Sequence, residues 1–153
     1  MARSFRFRPR YRGVAWLSVV VGGVLVGTTV AVLGAALLPL ATGSIGVVLG
    51  AGYLGSPAWK LEVVVDDSGL EVRSAKASRF KLAWADVAKV VHSPSTHTCY
   101  VDGGVPEKSL LVPGVGAPAP YDIEDKAALC EAIVTAVAAD KIETVETLAA
   151  ART

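Results

Sequence analysis

The sequence predicts two apolar helices that pair as a transmembrane hairpin, followed by an α+β domain of antiparallel strands closed by one C-terminal helix. Three observations predict this class. The 47 residues from 13 to 59 carry no Asp, Glu, Lys or Arg, although 19% of the whole chain is charged. From Lys60 the apolar residues alternate with a period of two, as in strands, and near residue 123 the period becomes about 3.6, as in a helix.

These changes of pattern divide the 153-residue chain into four segments. Residues 1–12 are expected to form a basic cytoplasmic arm, and residues 13–59 the transmembrane helical hairpin. Residues 60–140 are expected to form the α+β domain. Residues 141–153 are either an extension of its helix or a flexible tail.

The arm is strongly basic. It holds five of the 15 Lys and Arg and no acid, whereas residues 60–153 hold the other ten bases and all 14 acids, a net charge of −4. Positive charge beside a span stays on the cytoplasmic side, and each base attracts anionic lipid by about 1 kcal/mol. Phe5, Phe7 and Tyr11 are expected to act as interfacial anchors. Nucleic-acid binding is the disfavoured alternative, because the remaining domain is acidic. The expected lipid contacts of the arm are Arg3, Arg6, Arg8, Arg10 and Arg12.

The uncharged block is long enough for two spans, since crossing a bilayer core takes about 20 helical residues. Pro39 marks the break, with spans from about residue 14 to 38 and from residue 40 or 45 to 59. A cleaved signal peptide is the alternative, but its apolar region is about 7–15 residues long. Because glycines and Pro57 interrupt the second segment, whether that segment crosses fully or only dips into the membrane stays open.

Glycines four residues apart favour close helix packing in lipid. Two such pairs occur, one in each span, and the same faces could instead serve self-association. The predicted packing residues are Gly23, Gly27, Gly46 and Gly50.

The polar part predicts about six short strands, which suggests an antiparallel sandwich or barrel. Asp66-Asp67-Ser68-Gly69 has the composition of a hairpin turn. The predicted strands are residues 61–65, 70–73, 80–84, 87–91, 97–102 and 108–112.

A helix is predicted after residue 121, with Asp122 as its N-cap. One apolar stripe defines its buried face, and three further residues could extend that stripe. The stripe is Ile123, Ala127, Cys130, Ile133, Val134 and Val137, and its extension Ile142, Val145 and Leu148.

Two stretches carry a resemblance to a known family. They are the first hairpin, Leu-Glu-Val-Val-Val-Asp-Asp-Ser-Gly-Leu-Glu-Val from Leu61, and the corner Phe-Lys-Leu-Ala-Trp-Ala-Asp-Val-Ala-Lys-Val-Val from Phe80. The segment from residue 61 to about 137 resembles the bacterial PH-like (pleckstrin-homology-like) domains that follow a transmembrane hairpin in small membrane proteins. The resemblance implies a barrel plugged at one end by the final helix. Its motifs specify a fold and no activity.

The sequence predicts no enzyme, no metal site and no cofactor. His92, His97 and Cys99 match no standard zinc spacing, and no phosphate-binding glycine loop with its lysine occurs. Solvated histidines and a half-buried Cys99 are expected.

We therefore expect a non-enzymatic interaction module at the inner (plasma) membrane, multi-pass, with both termini cytoplasmic. It would bind a protein partner or its own copies, and no nucleic acid. An anionic-lipid sensor and an accessory subunit of a larger membrane complex are the alternatives. Phosphoinositide binding is disfavoured because Asp66 and Asp67 stand in the first hairpin loop. The expected lipid contacts in the domain are Arg73, Lys76, Arg79 and Lys81.

Overall fold

The computed structural model describes residues 2–33 and 37–147. The chain forms two compact units, Pro9–Pro57 and Met1–Arg8 together with Ala58–Thr153. The helices are α1 (Arg12–Thr28), α2 (Leu37–Leu54) and α3 (Lys126–Ala136). The strands are β1 (Arg3–Pro9), β2 (Leu61–Val65), β3 (Gly69–Ser74), β4 (Ser78–Ala83), β5 (Lys89–Ser93), β6 (Thr98–Asp102), β7 (Leu110–Val112), β8 (Tyr121–Ile123) and β9 (Ile142–Thr144).

The first unit contains α1 and α2, which pack against each other. A π-helical turn, Thr29–Leu33, continues α1. Both helical segments, Arg12–Val32 and Leu37–Lys60, are long and apolar enough to cross a membrane. Their large apolar side chains, Leu17 and Leu49 among them, are mostly exposed. The prediction of two long apolar helices is thus confirmed.

Glycines form the contact between α1 and α2. A Cβ at Gly43 would lie 2.8 Å from the carbonyl oxygen of Gly22, and one at Gly50 would lie 2.7 Å from that of Ala15. A Cβ at Gly46 would stand 3.4 Å from the oxygen of Ser18. The backbones therefore approach too closely for larger residues.

Gly23 and Gly27 do not take part in this contact. A Cβ built on either glycine meets no atom of the described residues within 4 Å. The structure therefore does not place these two residues between α1 and α2, and self-association through their face stays a prediction. The contact face of α1 contains Gly22, the residue just before Gly23. Neighbouring residues of a helix point in different directions, so the glycine pattern indicated a different face of α1.

The second unit has two sheets and α3. The five-stranded sheet has the order β4-β3-β2-β1-β8, and the four-stranded sheet the order β7-β6-β5-β9. Strands β1 to β4 pair antiparallel in sequence, as do β5 with β6 and β6 with β7, whereas β9 runs parallel to β5. Buried side chains from both sheets and α3 form one core. The α+β class is therefore confirmed.

Strand β1 corrects the expectation for the arm. Phe5 and Phe7 are 5% and 8% exposed and belong to the core, and β1 pairs with β2 from Arg3–Val65 to Arg6–Glu62. The interpretation of these phenylalanines as interfacial anchors is wrong. Alternation of Arg and Phe is also the pattern of a strand with one buried face, and most of the arm is such a strand.

The C-terminal part also differs from expectation. Asp122 lies in β8, and α3 begins after Asp125, which has a left-handed φ of 49° and makes no side-chain capping bond. Ala127 is exposed, whereas Leu129 is buried. Residues 142–144 form β9, so the helix does not extend through them. Leu148 and the rest of the expected tail lie outside the described residues.

Candidate binding groove

An open groove of about 750 Å³ lies between the β2–β3 turn and α3. Trp84 forms part of its wall, and α3 contributes only short side chains and one acid. The fold determines the positions of both sides of the groove. The β2–β3 turn joins two core strands, and α3 is held in place because its Leu129 and Ile133 are buried in the core. The lining residues that carry its chemistry are Arg3, Asp66, Asp67, Trp84, Glu131 and Thr135.

Asp66 shapes the turn at the mouth of the groove. Its carboxylate accepts hydrogen bonds from the Ser68 amide at 2.7 Å, the Ser68 hydroxyl at 2.6 Å and the Gly69 amide at 2.9 Å. These bonds, the Ser68 hydroxyl first, lower the pKa of Asp66. The turn therefore presents an ionised carboxylate in the folded protein.

Trp84 lies against the β2–β3 turn and belongs to the same wall of the groove. Its indole Nε1 donates a hydrogen bond of 2.9 Å to the Asp66 carbonyl oxygen. The 3-10 turn that begins at Trp84 is also held by Lys141. The Nζ of Lys141 donates hydrogen bonds to the carbonyl oxygens of Ala85 at 2.9 Å and Val87 at 2.7 Å. The wall is thus held at both ends by hydrogen bonds.

The groove is acidic. Among the described residues that line it, Arg3 is the one base, against Asp66, Asp67 and Glu131. Ala132, Thr135 and Ala136 leave its floor on α3 free of long side chains. Such a surface attracts cationic groups and repels phosphates. The two aspartates can be predicted from the sequence to repel phosphate, whereas nothing in the sequence places Glu131 and the small residues of α3 beside them.

Most of the expected lipid-binding bases in the sheet face acids. Arg73 Nε forms an ion pair of 2.8 Å with Glu62 Oε1, which raises the pKa of Arg73 through that hydrogen bond and charge. Arg6 stands opposite the same Glu62 in the β1–β2 register, and Lys81 stands opposite Glu71 in the β3–β4 register. The outer face of this sheet therefore alternates in charge.

The remaining expected bases are scattered. Arg8 forms an ion pair with Glu124. Lys76 lies in the β3–β4 turn, and Arg79 is exposed on β4. Arg10 lies over the Tyr11 ring at 6.0 Å, and Arg12 begins α1. The nine bases do not form one patch on the second unit, because Arg10 and Arg12 belong to the first unit.

The two cysteines lie in the core, whereas His92 is half-buried and His97 is exposed. Cys99 and Cys130 are reduced and buried, so the expectation of a half-buried Cys99 is wrong. A hydrogen bond between the two thiols raises the pKa of Cys99 and lowers that of Cys130. His97 is exposed, with a left-handed φ of 51°. In residues 2–33 and 37–147, no group of three or more His, Cys, Asp or Glu is arranged to hold a metal ion.

The groove could not be found from sequence spacing, because its lining comes from four separate parts of the chain. Its residues stand at positions 3, 65–67, 84 and 131–136.

No family model, curated protein or solved structure matches the chain.

Proposed function

We propose that this protein is a non-enzymatic, membrane-anchored interaction module that binds a cationic protein segment in the acidic groove. The observation that carries the proposal is the groove itself, built between a turn and a helix on rigid elements. Its three acids and one base give the groove selectivity for cationic partners. Charge complementarity favours the correct partner and raises the association rate.

Anchoring is supported by the two apolar helices, α1 and α2. They are joined to the domain at both ends, because β1 precedes α1 and β2 follows α2. Since β1 and β2 pair in one sheet, both ends of the hairpin belong on the same side of the membrane. The arginines beside α1 favour the cytoplasmic side. We therefore propose a multi-pass inner-membrane protein with both termini in the cytoplasm.

A PH-like domain is the fold that we propose for the second unit. Two sheets enclose one core, and α3 places Leu129, Cys130 and Ile133 in it. The Trp84–Asp86 turn carries the chain from β4 in one sheet to β5 in the other, at the corner that the sequence resemblance selects. PH-like domains offer a groove beside the final helix to peptides, which agrees with the position of the acidic groove.

Site-specific photo-crosslinking of the full chain tests the function. A photoreactive amino acid at Thr135 lies in the groove, whereas one at exposed Ala127 of the same helix lies outside it. We expect a discrete protein adduct from position 135 and none from 127. The adduct should weaken at high salt and disappear when Glu131→Lys and Asp67→Lys reverse the charge of the groove. Equal adducts at both positions, or adducts that ignore the reversal, would contradict the proposal.

The lipid-sensor alternative has less support, because Arg8 and Arg73 are ion-paired and Arg6 and Lys81 face acids. Lys76→Glu with Arg79→Glu tests it in full-length chains reconstituted in anionic vesicles. Altered accessibility of the domain to proteolysis on anionic, compared with neutral, vesicles would support the sensor. If the variant shows the same difference between anionic and neutral vesicles as the original chain, these bases do not sense lipid and the sensor is excluded.

An accessory-subunit role is favoured by one observation, the open face of α1 at Gly23 and Gly27. Glycines that the partner helix of the same hairpin leaves uncovered are suited to another helix. Co-purification of a membrane partner that is lost with Gly23→Leu would support this role. Co-purification that survives the change would exclude this face.

A further inference from the structure

The last described segment of the chain completes the four-stranded sheet. Strand β9 runs parallel to β5, with Val90 opposite Ile142, Val91 opposite Glu143 and His92 opposite Thr144. The Val145 amide then donates a hydrogen bond of 2.9 Å to the His92 carbonyl oxygen. The β5 edge therefore accepts an extended segment in a defined register.

Hydroxyl groups hold the end of this segment by its backbone. Ser93 and Ser95 donate hydrogen bonds of 2.6 Å and 2.8 Å to the Glu146 carbonyl oxygen. Thr96 donates to the Ser93 hydroxyl at 2.8 Å and lies 2.8 Å from that of Thr98. Ser93 and Thr98 are buried, so the donors are positioned by the β5–β6 hairpin. We name Ser93 and Ser95 the hydroxyl clamp.

The segment is held less firmly than the core. Of β9, only Ile142 packs against the core cluster. Glu143 forms an ion pair with Lys89, but both side chains are about half exposed, and such pairs contribute at most about 1 kcal/mol. An edge strand with few buried contacts opens at a lower free energy than the interior of a sheet.

A short connection, residues 138–140, precedes the segment and is named the hinge. Helix α3 ends at Ala136, and residues 138–140 are exposed. Val137 and Ala138 have extended backbone angles. Val137 is buried in the core, so a change of backbone direction at residues 138–140, after it, is the one that would redirect β9 without disturbing α3.

We propose that the β5 edge and the hydroxyl clamp form a strand-accepting site that a second copy of this chain fills with its own residues 142–146. The argument for this occupant is sequence identity. The segment of another copy reproduces the register, the carbonyl contact with the clamp and the Lys89–Glu143 pair, so exchange changes only the hinge and the entropy of association. If both copies are held in one membrane, as the proposed function states, their effective concentration rises; the site itself does not depend on the acidic groove.

Cross-linking of two differently tagged full-length chains in one membrane tests the exchange. One chain carries Val91→Cys and the other Glu143→Cys, since these residues are direct partners in the register and paired strands bring Cα atoms within disulfide range. After mild oxidation we expect a mixed dimer several-fold more abundant than with the control pair, Val91→Cys and Thr135→Cys. A synthetic peptide of residues 141–147 should reduce it, and a scrambled peptide should not.

A third chain carrying both cysteines checks the site within one molecule. An intrachain disulfide in this chain, with mixed dimer no more abundant than in the control pair, would overturn exchange and leave the segment bound only to its own domain. Absence of both products would overturn the strand-accepting site as well. Neither result concerns the groove, so failure of the exchange is distinguishable from failure of the proposed function.

Discussion

One hydrogen bond joins Trp84 to the β2–β3 turn beside the groove, from its indole nitrogen to the Asp66 carbonyl oxygen at 2.9 Å. Trp84→Phe keeps an aromatic ring but removes the donor. We expect the free energy of unfolding to fall by about 1 kcal/mol, the net contribution of one such bond. Urea denaturation of the detergent-solubilised chain measures this, with Trp16→Phe as the control because Trp16 is 53% exposed. Equal losses in both variants would contradict the role of the bond.

His92 makes stability depend on pH in a defined direction. Burial, and then the charge of His97, lowers the pKa of His92 below its ordinary value of 6.5. Below that value the unfolded chain binds a proton that the folded chain does not, so stability falls as pH decreases. We expect Tm to fall between about pH 7 and pH 5 and the slope to flatten in His92→Gln. His97→Asn should keep most of the slope, because burial is the larger cause. An unchanged slope in His92→Gln would contradict this assignment.

At the scale of elements, β1 is a central strand, between β2 and β8. Phe5 is 5% exposed in the core that this strand helps to close. Phe5→Ala should therefore lower the free energy of unfolding by about 3–5 kcal/mol, as large-to-small core changes do. Tyr11→Ala is the control, since Tyr11 is 47% exposed and follows the strand. Thermal unfolding of both variants measures the difference, and similar Tm values would argue that β1 is not part of the core.

Strand β1 also shows what a sequence pattern can and cannot predict. Periods of two located β2 to β7 within a few residues, because each strand carries its own alternation and turn residues. The same alternation in β1 also fits an interfacial arm, because its partner β2 follows two helices later in the chain and only the pairing reveals the sheet. Strands β8 and β9 are three residues long, and Ile123 and Ile142 in them also fit the helical period of the adjacent sequence. The groove could not be predicted from the sequence for a related reason, because its acids come together only in the folded chain.

Helix packing depends on the glycines of one face. Gly43→Leu would place side-chain atoms where the Gly22 backbone lies, since even a Cβ would be 2.8 Å from its oxygen. Gly27→Leu meets no described atom within 4 Å at the Cβ. We expect Gly43→Leu to lower the Tm of the hairpin measured by circular dichroism in detergent, and Gly27→Leu to leave it unchanged. The reverse order would show that the helices pair through the other face.

For the whole molecule, strand pairing restricts the topology. β1 and β2 lie on either side of the hairpin and exchange backbone hydrogen bonds in one sheet. A single crossing would place them on opposite sides of the bilayer and separate the sheet. Cleavage as a signal peptide would remove β1 with the buried Phe5 and Phe7, and the sheet would lose a central strand. The two crossings that we propose, with β1 and β2 on one side, would satisfy both requirements.

Cysteine labelling of intact cells tests this topology. Leu37→Cys lies at the start of α2, where the side chain is 78% exposed, and Lys108→Cys lies on the exposed surface of the domain. Because the native Cys99 and Cys130 are buried, an impermeant thiol reagent reports the introduced residue. We expect position 37 to react in intact cells and position 108 only after permeabilisation. The opposite pattern would agree with two crossings but reverse the orientation that we propose from the arginines. Reaction of both positions from outside would contradict the hairpin, because positions 37 and 108 would then lie on the same side of the bilayer.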